Sequence, residues 1–95
     1  MFDLTGRTAL VTGASGGIGR AIATALSEAG AKVALSGTRE NVLEEVAGTL
    51  KGESAIVTCN LSDADAVDGL VGRAEAAIGP LDILVANAGI TRDKL

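Results

Sequence analysis

The sequence has 95 residues, 47% of them hydrophobic, with 13 glycines, a net charge of −4, one aromatic residue (Phe2) and no Tyr, Trp or His. That inventory leaves room for one small domain and excludes, within these residues, histidine general bases, Ser-His-Asp triads and any step that uses a tyrosine hydroxyl. With no His and a single cysteine, Cys59, zinc-finger and zincin-type sites and a disulfide framework are excluded as well.

The opening Met1-Phe2-Asp3-Leu4 lacks the basic and apolar regions of a secretory signal. Thr8-Ala9-Leu10-Val11-Thr12 is a near-continuous apolar run between Gly6-Arg7 and Gly13, which predicts a strand covered on both faces. From Gly17 the period changes. Ile18, Ile22, Ala25, Leu26 and Ala29 fall on one predicted helical stripe, with Gly30 as its stop. Lys32-Val33-Ala34-Leu35-Ser36 reads as a second strand. Val42, Leu43, Val46 and Leu50 predict a second amphipathic helix ending near Gly52. The β-branched stretch Ser54 to Cys59 predicts a third strand.

Ser62-Asp63-Ala64-Asp65 resembles a capping box at a helix start. The helix that follows has Val67, Leu70, Val71, Ala74 and Ile78 on one face. Gly69 and Gly72 lie inside it, each costing about 1 kcal/mol against Ala, so tertiary packing must hold it. Gly79-Pro80 ends it, and Leu81 to Ala86 is the fourth predicted strand. No run approaches the ~20 apolar residues of a membrane span. The acidic excess sits in residues 53–95, with 3 basic and 7 acidic side chains, which argues against a polyanion surface. The expectation is a cytoplasmic protein with no membrane or nucleic-acid partner.

The order β-α-β-α-β-α-β with short turns implies an α/β fold with a parallel sheet and right-handed crossovers. This is half of a doubly wound sheet, with expected strand order 3-2-1-4 and a switch point between strands 1 and 4 where ligands bind. Helices 1 and 2 should cover one face and helix 3 alone the other. Strand 4 is then an apolar edge, a surface that predicts association or poor solubility.

Two sequence features meet at the switch point: Gly13-Ala14-Ser15-Gly16-Gly17-Ile18-Gly19 after strand 1, and Asn87-Ala88-Gly89 after strand 4. Glycines let a strand reverse into a helix while backbone amides approach a pyrophosphate. The spacing is not G-x-G-x-x-G, because Ile22 stands where the third glycine belongs, and no Gly-Lys-Ser/Thr of a Walker loop occurs. The plainer alternative is a glycine turn that only joins strand to helix.

Thr12-Gly13-Ala14-Ser15-Gly16-Gly17-Ile18-Gly19 resembles the T-G-x-x-x-G-x-G motif of short-chain dehydrogenases/reductases, and Ala86-Asn87-Ala88-Gly89 resembles that family's N-N-A-G. The stretch Leu81 to Asp93, with its Ile90-Thr91-Arg92-Asp93 extension, is similar to the 3-oxoacyl-[acyl-carrier-protein] reductases of fatty-acid synthesis. The likeness runs from about residue 3 to the last. It implies a Rossmann-like NAD(P)-binding domain over 1–95, the N-terminal part of a longer reductase.

The resemblance places Gly13, Ser15, Gly16, Gly17, Ile18 and Gly19 along the cofactor's pyrophosphate and adjoining ribose. It puts Asn60 and Leu61 at the adenine ring, and Asn87, Ala88 and Gly89 at the ribose and nicotinamide side. Ala86 departs from the first Asn of N-N-A-G, and Asn87 has a second reading as a polar residue ending a strand. At the end of strand 2 a carboxylate would favour NAD and repel the 2′-phosphate of NADP. Here the sequence is Ser36-Gly37-Thr38-Arg39, with no acid until Glu40. Gly37 holds the discriminating position and Thr38 with Arg39 could bind the phosphate, so the expected cofactor is NADP ahead of NAD. Against this, Gly16 replaces the basic residue that many NADP-dependent relatives carry, and Arg39 has a second reading as a solvated residue of helix 2.

Cys59 reads as a small core residue. Asp63, Asp65 and Asp68 suit a helix N-terminus by charge alone, and no metal is expected. Arg92 and Lys94 either face an acidic acyl-carrier partner or lie in a solvated loop. The family reduces a carbonyl by hydride transfer, with a tyrosine donating the proton, a lysine lowering its pKa and a serine orienting the carbonyl oxygen. With no tyrosine present, no catalytic residue is assigned here and the 95 residues alone are expected to be inactive. An acyl-carrier-protein-linked substrate and a homotetramer are expected of the longer parent.

Overall fold

The computed structural model describes residues 3–58 and 64–85, with the backbone alone at 64–68. The chain forms β1 (Thr8–Thr12), α1 (Gly17–Glu28), β2 (Lys32–Gly37), α2 (Glu40–Thr49), β3 (Ser54–Thr58), α3 (Ala64–Ile78) and β4 (Ile83–Val85). The strands pair in the order β3-β2-β1-β4, every pair parallel. Thr12 lies opposite Ser36, Leu10 opposite Leu84, and Gly37 opposite Thr58. This is the doubly wound α/β order expected from the alternating pattern.

The period-2 alternation of a strand splits the apolar residues between two cores. Val11, Val33 and Leu35 join Ala23 of α1 and Leu43 and Val46 of α2 on one face. Leu10, Ala34 and Val57 meet Leu70, Ala74 and Ile78 of α3 on the other. All five residues of β1 are buried, which explains its continuous apolar run. Each fully buried Leu or Val contributes about 1.5–3 kcal/mol, so the sheet centre, not helix propensity, holds α3 with its Gly69 and Gly72. Leu84, on the α3 side of β4, remains 57% exposed.

The structure corrects the expected stripe of α1. Ile18 is 70% exposed, and the buried residues of this helix are Gly19, Ala23 and Ser27, with Ile22 and Leu26 packed at the margin of the core. The reason is distance: α1 lies so close to the turn after β1 that only small residues fit its inward row. The buried hydroxyl of Ser27 is not wasted there, since it accepts the Gly52 amide at 3.0 Å.

Strand boundaries also shift. β2 runs on to Gly37, whereas β4 begins at Ile83 instead of Leu81. Leu81 and Asp82 are held by side-chain bonds together with one backbone bond to β1. The Asp82 carboxylate accepts the Thr8 amide at 3.0 Å, and the Asp82 amide donates to the Thr8 carbonyl at 3.0 Å. The Thr8 hydroxyl donates to the Pro80 carbonyl, and Glu75 accepts the Leu81 amide at 3.0 Å. Cys59, the Ser62 and Asp63 of the expected capping box, and Ala86 lie outside the described residues, as do the side chains of Asp65, Val67 and Asp68. No helix among the described residues is long and apolar enough to cross a membrane.

Candidate functional site

β1 and β2 end side by side, and the turn that leaves β1 is tied to the end of β2. The Ala14 amide donates to the Ser36 carbonyl at 3.0 Å, and the Gly16 amide to the Gly13 carbonyl at 3.1 Å. Gly13 has φ +67°, the left-handed region where a side chain is strained. Ala14 is fully buried, so its methyl anchors the turn from below. Sequence reading missed this residue, whose signal is that it is the one apolar position between Gly13 and Gly17.

Gly19 makes the closest approach among the described glycines. A Cβ placed on it would lie 2.2 Å from the Gly13 carbonyl oxygen and 2.9 Å from the Ala14 Cα, both backbone atoms that cannot move aside. A Cβ at Gly17 meets nothing within 4 Å, and one at Gly16 meets only the Gly13 oxygen at 3.6 Å. Gly19 therefore sets the packing, whereas Gly16 and Gly17 keep an outer surface clear. Gly16 is the N-cap of α1, which has no side-chain cap bond and no acidic residue in its first turn. The positive end of this helix dipole therefore meets no carboxylate from its own first turn, the arrangement that suits a phosphate. At α2 the N-cap is Arg39, again without a side-chain bond, but Glu40 stands in the first turn.

The second wall of the site is the end of β2. A Cβ on Gly37 would lie 3.5 Å from the Ser15 hydroxyl and 3.4 Å from Leu43 Cδ2, so the site residues Ser15 and Gly37 are neighbours. Thr38 and Arg39 are exposed just beyond. Ser36 is fully buried on the α3 side, and its hydroxyl has no hydrogen-bond partner among the described residues. On the other side of β1, the Thr12 hydroxyl donates to the Val85 carbonyl at 3.2 Å, fixing the last described residue before Asn87-Ala88-Gly89.

The structure thus brings together Gly13, Ser15, Gly16, Gly17, Ile18 and Gly19 with Thr38 and Arg39 at the carboxyl ends of β1 and β2. The expected site residues Asn60, Leu61, Asn87, Ala88 and Gly89 lie outside the described residues. A glycine cradle whose inner wall excludes any Cβ and whose outer wall is bare fits the pyrophosphate of a dinucleotide. Among the described residues no group of His, Cys, Asp or Glu could hold a metal ion.

Comparisons with known proteins agree with this geometry. The family model for short chain dehydrogenase matches residues 7–95. Nodulation protein G of Rhizobium sp. (strain N33) is 55% identical over 95 residues, which are 100% of this chain and 39% of the relative. The 3-oxoacyl-[acyl-carrier-protein] reductase of Rickettsia typhi is 48% identical, over 100% of this chain and 38% of its own length. Among solved structures, a short-chain type dehydrogenase/reductase from Mycobacterium marinum superposes with a TM-score of 0.86 at 38% identity, covering 98% of this chain and 39% of that one. The chain spans less than two-fifths of each of these relatives.

Proposed function

The chain belongs to the short-chain dehydrogenase family of NAD(P)-binding oxidoreductases, and from that premise we propose that it holds NADP, and NAD less tightly, for reduction of a 3-oxoacyl thioester on an acyl carrier protein. The observation that carries the cofactor part is the 2.2 Å clash a Cβ would make between Gly19 and Gly13. A turn built this tightly, with the Gly16 amide closing it on the Gly13 carbonyl, brings the amides of Gly17 and Ile18 forward without side chains between them and the ligand.

In this reading Gly13, Ser15, Gly16, Gly17, Ile18 and Gly19 line the pyrophosphate and its ribose. Ile18, exposed at the head of α1, supplies an apolar wall that keeps water from the nicotinamide side. Thr38 and Arg39 receive the 2′-phosphate. Gly37 offers no carboxylate to repel it. Asn60 and Leu61 take the adenine, and Asn87, Ala88 and Gly89 border the nicotinamide ribose. The bound cofactor supplies a hydride. The proton for the developing alkoxide needs an acid, and with no tyrosine in the 95 residues that acid comes from elsewhere in a longer reductase. The chain by itself binds nucleotide and does not turn over.

The substrate class rests on the 48% identity to the Rickettsia reductase. The 55% identity to Nodulation protein G supports a second reading, a reductase with the same cofactor site and a different carbonyl substrate. Titrating the purified chain with NADPH and NADH tests the cofactor part. Saturable binding, tighter for NADPH, is expected; the absence of saturable binding to either overturns it. A coding sequence continuing past codon 95 into a Ser and a Tyr-x-x-x-Lys is the expected context for the reductase part.

A further inference from the structure

The described basic residues sort by the parallel topology. Arg7 precedes β1, Lys32 opens β2 and Lys51 precedes β3, so all three sit at the amino ends of the strands, away from the glycine turn. Arg7 faces Asp82 and Lys32 faces Glu53, each at 3.8 Å. Arg73 is on α3, where its guanidinium donates to the Thr58 carbonyl at 2.8 Å. Only Arg20 and Arg39 remain on the side of the sheet covered by α1 and α2 and toward the carboxyl ends of β1 and β2.

Arg20 stands one helical turn below Gly16, as its amide bond to the Gly16 carbonyl at 2.9 Å shows, so the two share one face of α1. That face looks toward α2, because the Arg20 guanidinium lies 3.8 Å from the Glu45 carboxylate. The side chains of this pair are 46% and 77% exposed, and a long, solvated ion pair is readily exchanged. The turn between Arg20 and Gly16 is about 5.4 Å, within the reach of an extended arginine. Arg39 is the exposed N-cap of α2, the helix that carries Glu45.

We infer that Arg20, with Arg39, is a specificity-determining residue that recognises the 2′-phosphate of NADP, exchanging its Glu45 partner for the phosphate when the cofactor binds. The inference rests on the cofactor reading above. It assigns to a residue inside α1 the positive charge that Gly16 does not provide.

The test is a calorimetric titration of the 95-residue chain and its Arg20→Met, Arg20→Lys and Glu45→Gln variants with NADPH and with NADH. Arg20→Met weakens NADPH binding about fivefold, the size of an exposed charge contact, and leaves NADH binding unchanged. Arg20→Lys keeps most of the NADPH affinity. Glu45→Gln, which frees Arg20, tightens NADPH about twofold, and the tightening shrinks at high salt. A wild-type chain that prefers NADPH together with an Arg20→Met variant that binds it equally well overturns the inference alone. Equal wild-type affinities for the two nucleotides overturn the NADP reading and this inference with it. Should Arg20→Met fail to fold, unchanged NADPH affinity in Glu45→Gln overturns it.

Discussion

The two ends of the central strand β1 are finished in opposite ways. At its amino end, polar groups satisfy one another: the Asp82 carboxylate takes the Thr8 amide, the Thr8 hydroxyl reaches the Pro80 carbonyl, and Arg7 lies near Asp82. At its carboxyl end the chain turns through glycines into a helix with no side-chain cap and no first-turn acid. The first end is closed by protein; the second presents donors and bare backbone to a ligand. Where a fold leaves a helix start uncompensated beside a cradle that excludes side chains, binding is the economical explanation.

This contrast can be broken from either end. Gly19→Val should have the largest effect, because its Cβ would fall 2.2 Å from the Gly13 oxygen. Overpacking of that kind costs about 3 kcal/mol, and urea unfolding together with nucleotide titration should show both stability and binding lost. Asp82→Ala removes the acceptor of the part-buried Thr8 amide at a cost of about 2 kcal/mol. Its melt should move while nucleotide affinity, measured where the variant is folded, stays unchanged, since the carboxyl end is untouched.

Gly37→Asp places a carboxylate beside Ser15 and should shift the NADPH-to-NADH affinity ratio about tenfold toward NADH, or ~1.4 kcal/mol. An unmoved ratio would detach the end of β2 from nucleotide choice. The smallest effect is expected of Ser36→Ala. Removing a buried hydroxyl that lacks a partner among the described residues should leave stability equal or raise it by up to about 1 kcal/mol, read from the denaturation midpoint.

The element order and the 3-2-1-4 sheet were legible because alternating strand and helix periods admit few parallel arrangements. The same holds for the two-face division, with Leu70, Ala74 and Ile78 opposite Leu43 and Val46. The inward row of α1 was not legible. Hydrophobic periodicity selects large residues such as Ile18, whereas the close approach to Gly13 selects Gly19 and Ala23 for size. Nor was the late start of β4, since Leu81 fits a strand pattern while its amide bonds the Glu75 side chain. In the site, the glycines were legible from spacing. The Arg20 pairing was not, because its partner Glu45 stands on a neighbouring helix that no local pattern reveals.

The open carboxyl end of β1 and β2, and not the closed amino end, is the proposed nucleotide site. The most direct measurement is a two-dimensional amide NMR titration of the isotopically labelled chain with NADPH. The largest shifts are expected at Gly16, Gly17, Ile18 and Gly19, with Thr38 and Arg39 next, and none at Thr8 or Asp82. Saturable binding whose shifts cluster at the amino ends, or spare the glycine turn, would contradict it.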